Sequence, residues 1–160
     1  MLDGIAIPNG ITWSKDNKTM FISDSPTRNI YAFDYDINTG SISNKRVFFH
    51  VEDPDGQPDG QALDEFGYLW SAIFGLGKVV RLSPAGEVVA TVTLPTRCVT
   101  CPVFVDDCVY VTSAEEEEPE RFPDSLRYQG AVFRCKVGVR GFDVRSFKME
   151  GGEAQSASLG

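Results

Sequence analysis

The chain lacks several of the residues on which common hydrolytic, redox and nucleic-acid chemistries depend. Its 160 residues hold one histidine, His50, and no Gly-x-Ser-x-Gly elbow, which argues against a serine-hydrolase triad. Positive charge is scarce, with 15 Lys and Arg against 23 Asp and Glu, a net charge of -8 and a pI near 4.6. That balance argues against nucleic acid or an anionic membrane as a partner. It suits either a bound divalent cation or simply an acidic surface. No window approaches the roughly 20 apolar residues of a membrane span, and no positively charged stretch with an apolar run follows Met1. No membrane partner and a cytoplasmic location are therefore expected, and the Asn17-Lys-Thr19 sequon is read as a chance match.

Cysteine is present but poorly arranged for metal or redox chemistry. Cys98-Val-Thr-Cys101 has knuckle spacing, yet Cys108 and Cys135 form no second pair at that spacing. On a strand the odd offset also sends the two side chains to opposite faces. Free cysteines buried in a core are expected instead. Long stretches with 3.6-residue periodicity are missing too, so the chain reads as all-β.

Hydrophobic residues make up 42% of the chain, enough for most of it to fold around a core. The organising feature is a repeat. Pro8-Asn-Gly-Ile-Thr-Trp13, then Thr19-Met-Phe-Ile-Ser-Asp24 and Asn29-Ile-Tyr-Ala-Phe33, recurs as Pro58-Asp-Gly-Gln-Ala-Leu-Asp64, Tyr68-Leu-Trp-Ser-Ala-Ile73 and Lys78-Val-Val-Arg-Leu82. Asn9 and Asp59 are 50 positions apart. A period of this size is the mark of a radial β repeat, each unit a four-stranded blade.

About three repeats fit the length, giving a partial β-propeller over residues 1–150 with blades near 8–50, 58–95 and 98–148. Strands are expected near 11–13, 19–23, 29–35 and 45–50, and then near 61–64, 69–73, 78–83 and 88–94. Thr100–Val105, Cys108–Ala114 and Ala131–Cys135 follow. Glu52–Pro58 is expected to be a loop because of its prolines and glycine, and the run Glu115–Glu118 opens a solvated loop. His50 falls at the end of an outer strand, Trp13 and Trp70 in core positions, and residues 151–160 in a disordered tail.

Asn9 and Asp59 are the candidate site. Each precedes the same innermost strand, and an amide carbonyl with a carboxylate makes a pair of hard oxygen donors for Ca²⁺, Mg²⁺, Mn²⁺ or Zn²⁺. Asn-Gly and Asp-Gly are also common turn dipeptides, and composition alone leaves both readings open. An EF-hand started at Asp55 would place Gly60 correctly but put Phe66 where a bidentate glutamate is needed.

Pro8-Asn-Gly-Ile-Thr-Trp-Ser14, Tyr31-Ala-Phe-Asp-Tyr-Asp36, Pro58-Asp-Gly60, Gly67-Tyr-Leu-Trp70, Gly77-Lys-Val-Val-Arg-Leu82 and Gly130-Ala-Val-Phe-Arg134 with Gly138-Val-Arg-Gly141 occur in one order. Together they resemble the regucalcin (senescence marker protein)/gluconolactonase family of six-bladed propellers, in its C-terminal half. The resemblance implies a divalent ion on the channel axis and hydrolysis of a sugar lactone or related cyclic ester. It implies Asn9 and Asp59 as metal ligands, with Asp59 also the general base. It leaves the family's third protein ligand, a first-blade glutamate, and its substrate-holding arginine and asparagine without counterparts. Impaired turnover follows as an expectation. The other expectations are a non-catalytic calcium-binding or scaffold protein and an inactive truncated product. The half count admits three origins, a fragment or mis-predicted gene model, a degenerate gene, or a chain that pairs, the last as a homodimer completing the ring by two-fold symmetry.

Overall fold

The computed structural model describes residues 2–142. Short alternating apolar segments separated by left-handed turn residues form eleven strands in sequence. They are β1 (Pro8–Trp13), β2 (Thr19–Asp24), β3 (Asn29–Asp36), β4 (Ser41–His50), β5 (Gln57–Leu63), β6 (Leu69–Phe74), β7 (Lys78–Leu82), β8 (Val88–Thr93), β9 (Val99–Val105), β10 (Cys108–Ser113) and β11 (Val132–Lys136). They make three antiparallel meanders, β1-β2-β3-β4, β5-β6-β7-β8 and β9-β10-β11. The first hairpin of each turns on a residue with positive φ, namely Asn17 (56°), Gly67 (85°) and Asp106 (51°). Gly, Asn and Asp tolerate that backbone, so the same corner recurs with three different residues.

The three sheets are blades of a partial propeller, packed face to face. Phe21, Ile30 and Ala32 of the first sheet meet Leu63, Ile73 and Val80 of the second. The second sheet's other face, with Trp70, Ala72 and Val79, meets Val99, Val109 and Val111 of the third. Each fully buried Leu, Ile or Val here contributes roughly 1.5–3 kcal/mol relative to exposure. Two internal junctions therefore account for most of the core. Among the described residues no helix is long and apolar enough to cross a membrane.

Several expectations need correction. Pro58 is not in a loop: β5 begins at Gln57, and Pro58 pairs with Ile73. Likewise β1 begins at Pro8, which pairs with Asp24. Trp13 is 36% exposed, because it stands on the outer face of the first sheet, where Leu2 packs against Met20, Ile22 and Phe33, whereas Trp70, between two sheets, is 2% exposed. Cys98 and Cys108 are buried, but Cys101 is exposed on β9, the innermost strand of the third sheet. The third sheet shows three strands among the described residues. The expected remainder of that blade and the expected tail at 151–160 lie outside them.

Candidate functional site

The site is built by a backbone irregularity that recurs in each innermost strand. Pro8 pairs with Asp24 and Ile11 with Ile22, so Asn9 and Gly10 together oppose Ser23. Pro58 pairs with Ile73 and Gln61 with Ser71, so Asp59 and Gly60 oppose Ala72. Val99 pairs with Ser113 and Pro102 with Val111, so Thr100 and Cys101 oppose Thr112. Each is a β-bulge, the device that locally bends a strand and re-aims a side chain. The Asn-Gly and Asp-Gly dipeptides thus form bulges and not hairpin turns.

Glycine follows the polar residue in two bulges because the strands approach closely there. A Cβ on Gly10 would lie 2.5 Å from the Asp59 carbonyl oxygen, and one on Gly60 would lie 2.7 Å from the Thr100 carbonyl oxygen. The same contact at two successive junctions fixes Asn9, Asp59 and Thr100 as equivalent positions. The structure therefore brings the two expected site residues side by side.

Asn9 is exposed and Asp59 half-buried. The Asn9 amide nitrogen Nδ2 donates to Ser25 Oγ at 3.4 Å, and Ser25 Oγ donates to the Pro58 carbonyl at 2.9 Å. Buried Ser25 thus ties the two bulges together, a role that nothing in its local sequence announces. The Asn9 amide nitrogen faces the Asp59 carboxylate as well as Ser25, so Oδ1 would serve a cation shared with Asp59 only with the amide turned over. Beneath the pair, Gln61 Nε2 donates to the Phe21 carbonyl at 3.1 Å, locking the floor of the first junction.

Asp59 titrates at about 6. Burial pushes it up, and the Gly60 N–H and the Asn9 amide only partly offset this. Among the described residues no cationic side chain is paired with it, in contrast to buried Asp64 and Glu116, which sit on Arg81 and Arg97. Cys101 lies close by and is exposed as a residue, but its Sγ packs against Gly60; that local burial first, and then the Asp59 charge, raise its thiol above the ordinary range. That makes it a poor nucleophile. His50 is held by Asn29 Oδ1 at 2.8 Å on the outer strand β4, away from the bulges.

A divalent ion would find two hard oxygen donors here, one of them a carboxylate without a cationic partner. This donor chemistry fits two of the ligands of Ca²⁺, Mg²⁺, Mn²⁺ or Zn²⁺. Among the described residues no group of three or more His, Cys, Asp or Glu side chains could hold a metal by itself. The pair alone offers two donors and no more.

The family model described as SMP-30/Gluconolactonase/LRE-like region matches residues 1–115. The chain belongs to this family. Regucalcin of Gallus gallus is 38% identical over 150 residues, covering 91% of this chain and 50% of its own length. A solved luciferin-regenerating enzyme is 40% identical with a TM-score of 0.78, covering 86% of this chain and 48% of that one. The calcium-binding protein regucalcin from Agrobacterium tumefaciens superposes with a TM-score of 0.80 at 28% identity, over 91% of this chain and 50% of that one. The chain spans about half the length of the relatives it matches.

Proposed function

We propose that the chain provides the Asn9–Asp59 wall of a lactonase that opens a sugar lactone or related cyclic ester. The observation that carries this reading is Asp59, a half-buried carboxylate with a pKa of about 6, beside Asn9 on an equivalent bulge. A carboxylate titrating there is a competent base at neutral pH. In the proposed reaction Asp59 accepts a proton from water as the water oxygen attacks the ester carbonyl carbon. The bond from that carbon to the ring oxygen breaks, and the proton passes to the ring oxygen, leaving an open hydroxy acid. A divalent ion held by the Asp59 carboxylate and, with the amide turned over, by Asn9 Oδ1 would supply electrostatic stabilisation of the developing oxyanion. Ser25 keeps the two bulges in register.

Membership of a family whose description includes gluconolactonase supports the lactone as substrate. Four free cysteines accord with a reducing, cytoplasmic setting. Two protein ligands make a weak, open ion site, so a single copy is expected to turn over slowly. The test is release of acid from glucono-lactone by wild type and Asp59→Asn, with chelator and with each of Ca²⁺, Mg²⁺, Mn²⁺ and Zn²⁺ restored. Metal-dependent hydrolysis that falls at least about 100-fold in the variant is expected. Equal rates in the two proteins would overturn the assignment, and metal binding without hydrolysis would make this a binding protein.

A further inference from the structure

Gly138-Val-Arg-Gly141 is a motif that the Asn9–Asp59 site does not use. It follows β11, and there the chain returns to the second sheet. Gly141 forms an antiparallel bridge with Asp64, the Glu65 N–H donates to the Arg140 carbonyl, and the Phe142 N–H donates to the Leu63 carbonyl, both at 2.9 Å. The Arg140 N–H also donates to Glu65 Oε1 at 2.9 Å. The edge of β5 that carries this pairing decides what it does. β1, β5 and β9 are edge strands of their sheets, and β5 lies against both of the others, so the three line the inner side of the row. One edge of β5 is taken by β6, and the Asp64 N–H still points that way, to the Tyr68 carbonyl. Backbone groups of successive strand residues alternate between edges, so those of Leu63 and Glu65 point to the inner one. Arg140, Gly141 and Phe142 therefore run along the channel side of β5, five residues and roughly 15 Å beyond Asp59.

All three sheets hold this segment. From the third, Val137 and Val139 pack onto the core of the second junction, and Gly141 passes so close to Phe104 of β9 that a Cβ there would overlap the Phe104 Cβ. From the first, Lys15, just past β1, donates from Nζ to the Glu65 carbonyl at 2.9 Å and lies 5.9 Å from the centre of the Phe142 ring. We infer that residues 138–142 are a strap that closes the far end of the channel these three strands line, so that the Asn9–Asp59 site is reached from the bulge end alone.

The strap converts a through-channel into a pocket. At its closed end the backbone donors and acceptors of Leu63 and Glu65 are already paired, and the ring of Phe104 stands behind Gly141, which leaves little there for water to bind. At the other end Asn9 is exposed. A lactone would thus enter, and its hydroxy acid leave, past the two bulges. The route rests on the proposed lactonase site; the closure rests on the strap's own contacts.

The test is amide hydrogen exchange with fluorescence quenching. In the wild type the Glu65 and Phe142 amides are expected to exchange slowly, and Gly141→Val to speed both at least about 10-fold while the β6 amides keep their rates. Where Gly141→Val does not fold, Glu65→Ala, which removes the acceptor of the Arg140 N–H without adding bulk, is expected to speed Phe142 in the same way. The chain has two tryptophans, so in Trp13→Phe the remaining one, Trp70, reports on the closed end, where its ring lies 5.5 Å from that of Phe104. Acrylamide should quench it poorly there and clearly better once Gly141→Val is added. Glu65 and Phe142 amides that exchange in the wild type as fast as in an unstructured peptide overturn the strap, as does Trp70 quenching that the added variant leaves unchanged. Hydrolysis of glucono-lactone should be equal in wild type and Gly141→Val, and a severalfold faster variant would show that substrate enters at the strap, against the inference. A wild type without hydrolysis would count against the lactonase reading alone, with exchange and quenching still deciding the strap.

Discussion

Asp59 and Asp64 lie five residues apart and have opposite fates. Asp64 is fully buried and neutralised. Its Oδ2 accepts from Trp70 Nε1 at 3.0 Å and Arg81 Nε at 2.8 Å, with Arg81 Nη2 at 2.7 Å, and its Oδ1 accepts the Phe66 and Tyr68 backbone N–H groups at 2.9 and 3.0 Å. Asp59 has one backbone N–H, that of Gly60, with the Asn9 amide, and no cation beside it among the described residues. One carboxylate is a fastener, and the other carries an unrelieved desolvation penalty. A fold of this size discards such a penalty unless something else uses the group. The comparison breaks most visibly at Asp64. Asp64→Ala leaves Arg81, Trp70 Nε1 and two backbone donors unpaired, and is expected to cost about 3–5 kcal/mol in urea unfolding. A loss below about 1 kcal/mol would mean that burial alone does not separate the two carboxylates.

Arg97 and Glu116 extend the comparison to the third sheet. Glu116 is 7% exposed and pairs with Arg97 at 2.9 Å, while Arg97 also donates from Nε to the Gly75 carbonyl and lies 3.2 Å over the Phe122 ring. One arginine thus joins the β6–β7 turn, the β8–β9 linker and the segment between β10 and β11. Arg97→Ala strands a buried carboxylate whose Oε2 already lacks a hydrogen bond, and a loss of about 3 kcal/mol is expected by the same measurement.

This pair also shows where reading the sequence stops. Glu115–Glu118 reads as solvated because a run of like charge cannot be buried as a run, and three of the four residues are indeed at least partly exposed. Glu116 alone turns inward, toward an arginine 19 residues earlier that no local pattern links to it. The blades, by contrast, were legible, because alternation and turn residues act over a few positions and repeat. Asn9 and Asp59 were legible as a pair because the 50-residue offset preserves Pro-x-Gly. The third bulge was not, since Thr100-Cys101 shares neither the proline nor the glycine, and only the strand register reveals it. Trp13 failed as a core residue for a related reason: its pattern matches that of Trp70, but among the described residues no second sheet packs over it.

Asp59 itself gives a smaller effect of opposite sign. Its folded pKa, about 6, lies above the ordinary 3.8. Between these values the folded chain binds more protons than the unfolded one, so stability declines as pH rises from about 4 to about 6 and then levels off. The group is only half-buried, and solvent screening reduces the effect to about 1 kcal/mol. Asp59→Asn should remove that slope and stabilise the protein at pH 7 by about the same amount while abolishing hydrolysis. Thermal melts at pH 4, 5, 6 and 7 read the slope directly. An unchanged slope in the variant would show that Asp59 is not the unrelieved charge.

Arg121 marks the lower end of the scale and separates contact from contribution. Like Arg97 it tethers the segment after β10, here by two contacts to Asp55, at 2.8 Å from Nη2 and 3.3 Å from Nη1. Its side chain, however, is 53% exposed and that of Asp55 36%. Water solvates both partners nearly as well when they are apart, and fixing two long side chains costs rotamer entropy, so little net energy remains. Arg121→Ala is therefore expected to unfold at the same urea midpoint as wild type, in low and in high salt alike. A clear loss at low salt that disappears at high salt would show that the Asp55 tether contributes through charge. The boundary between the two arginines would then be set by geometry and not by burial.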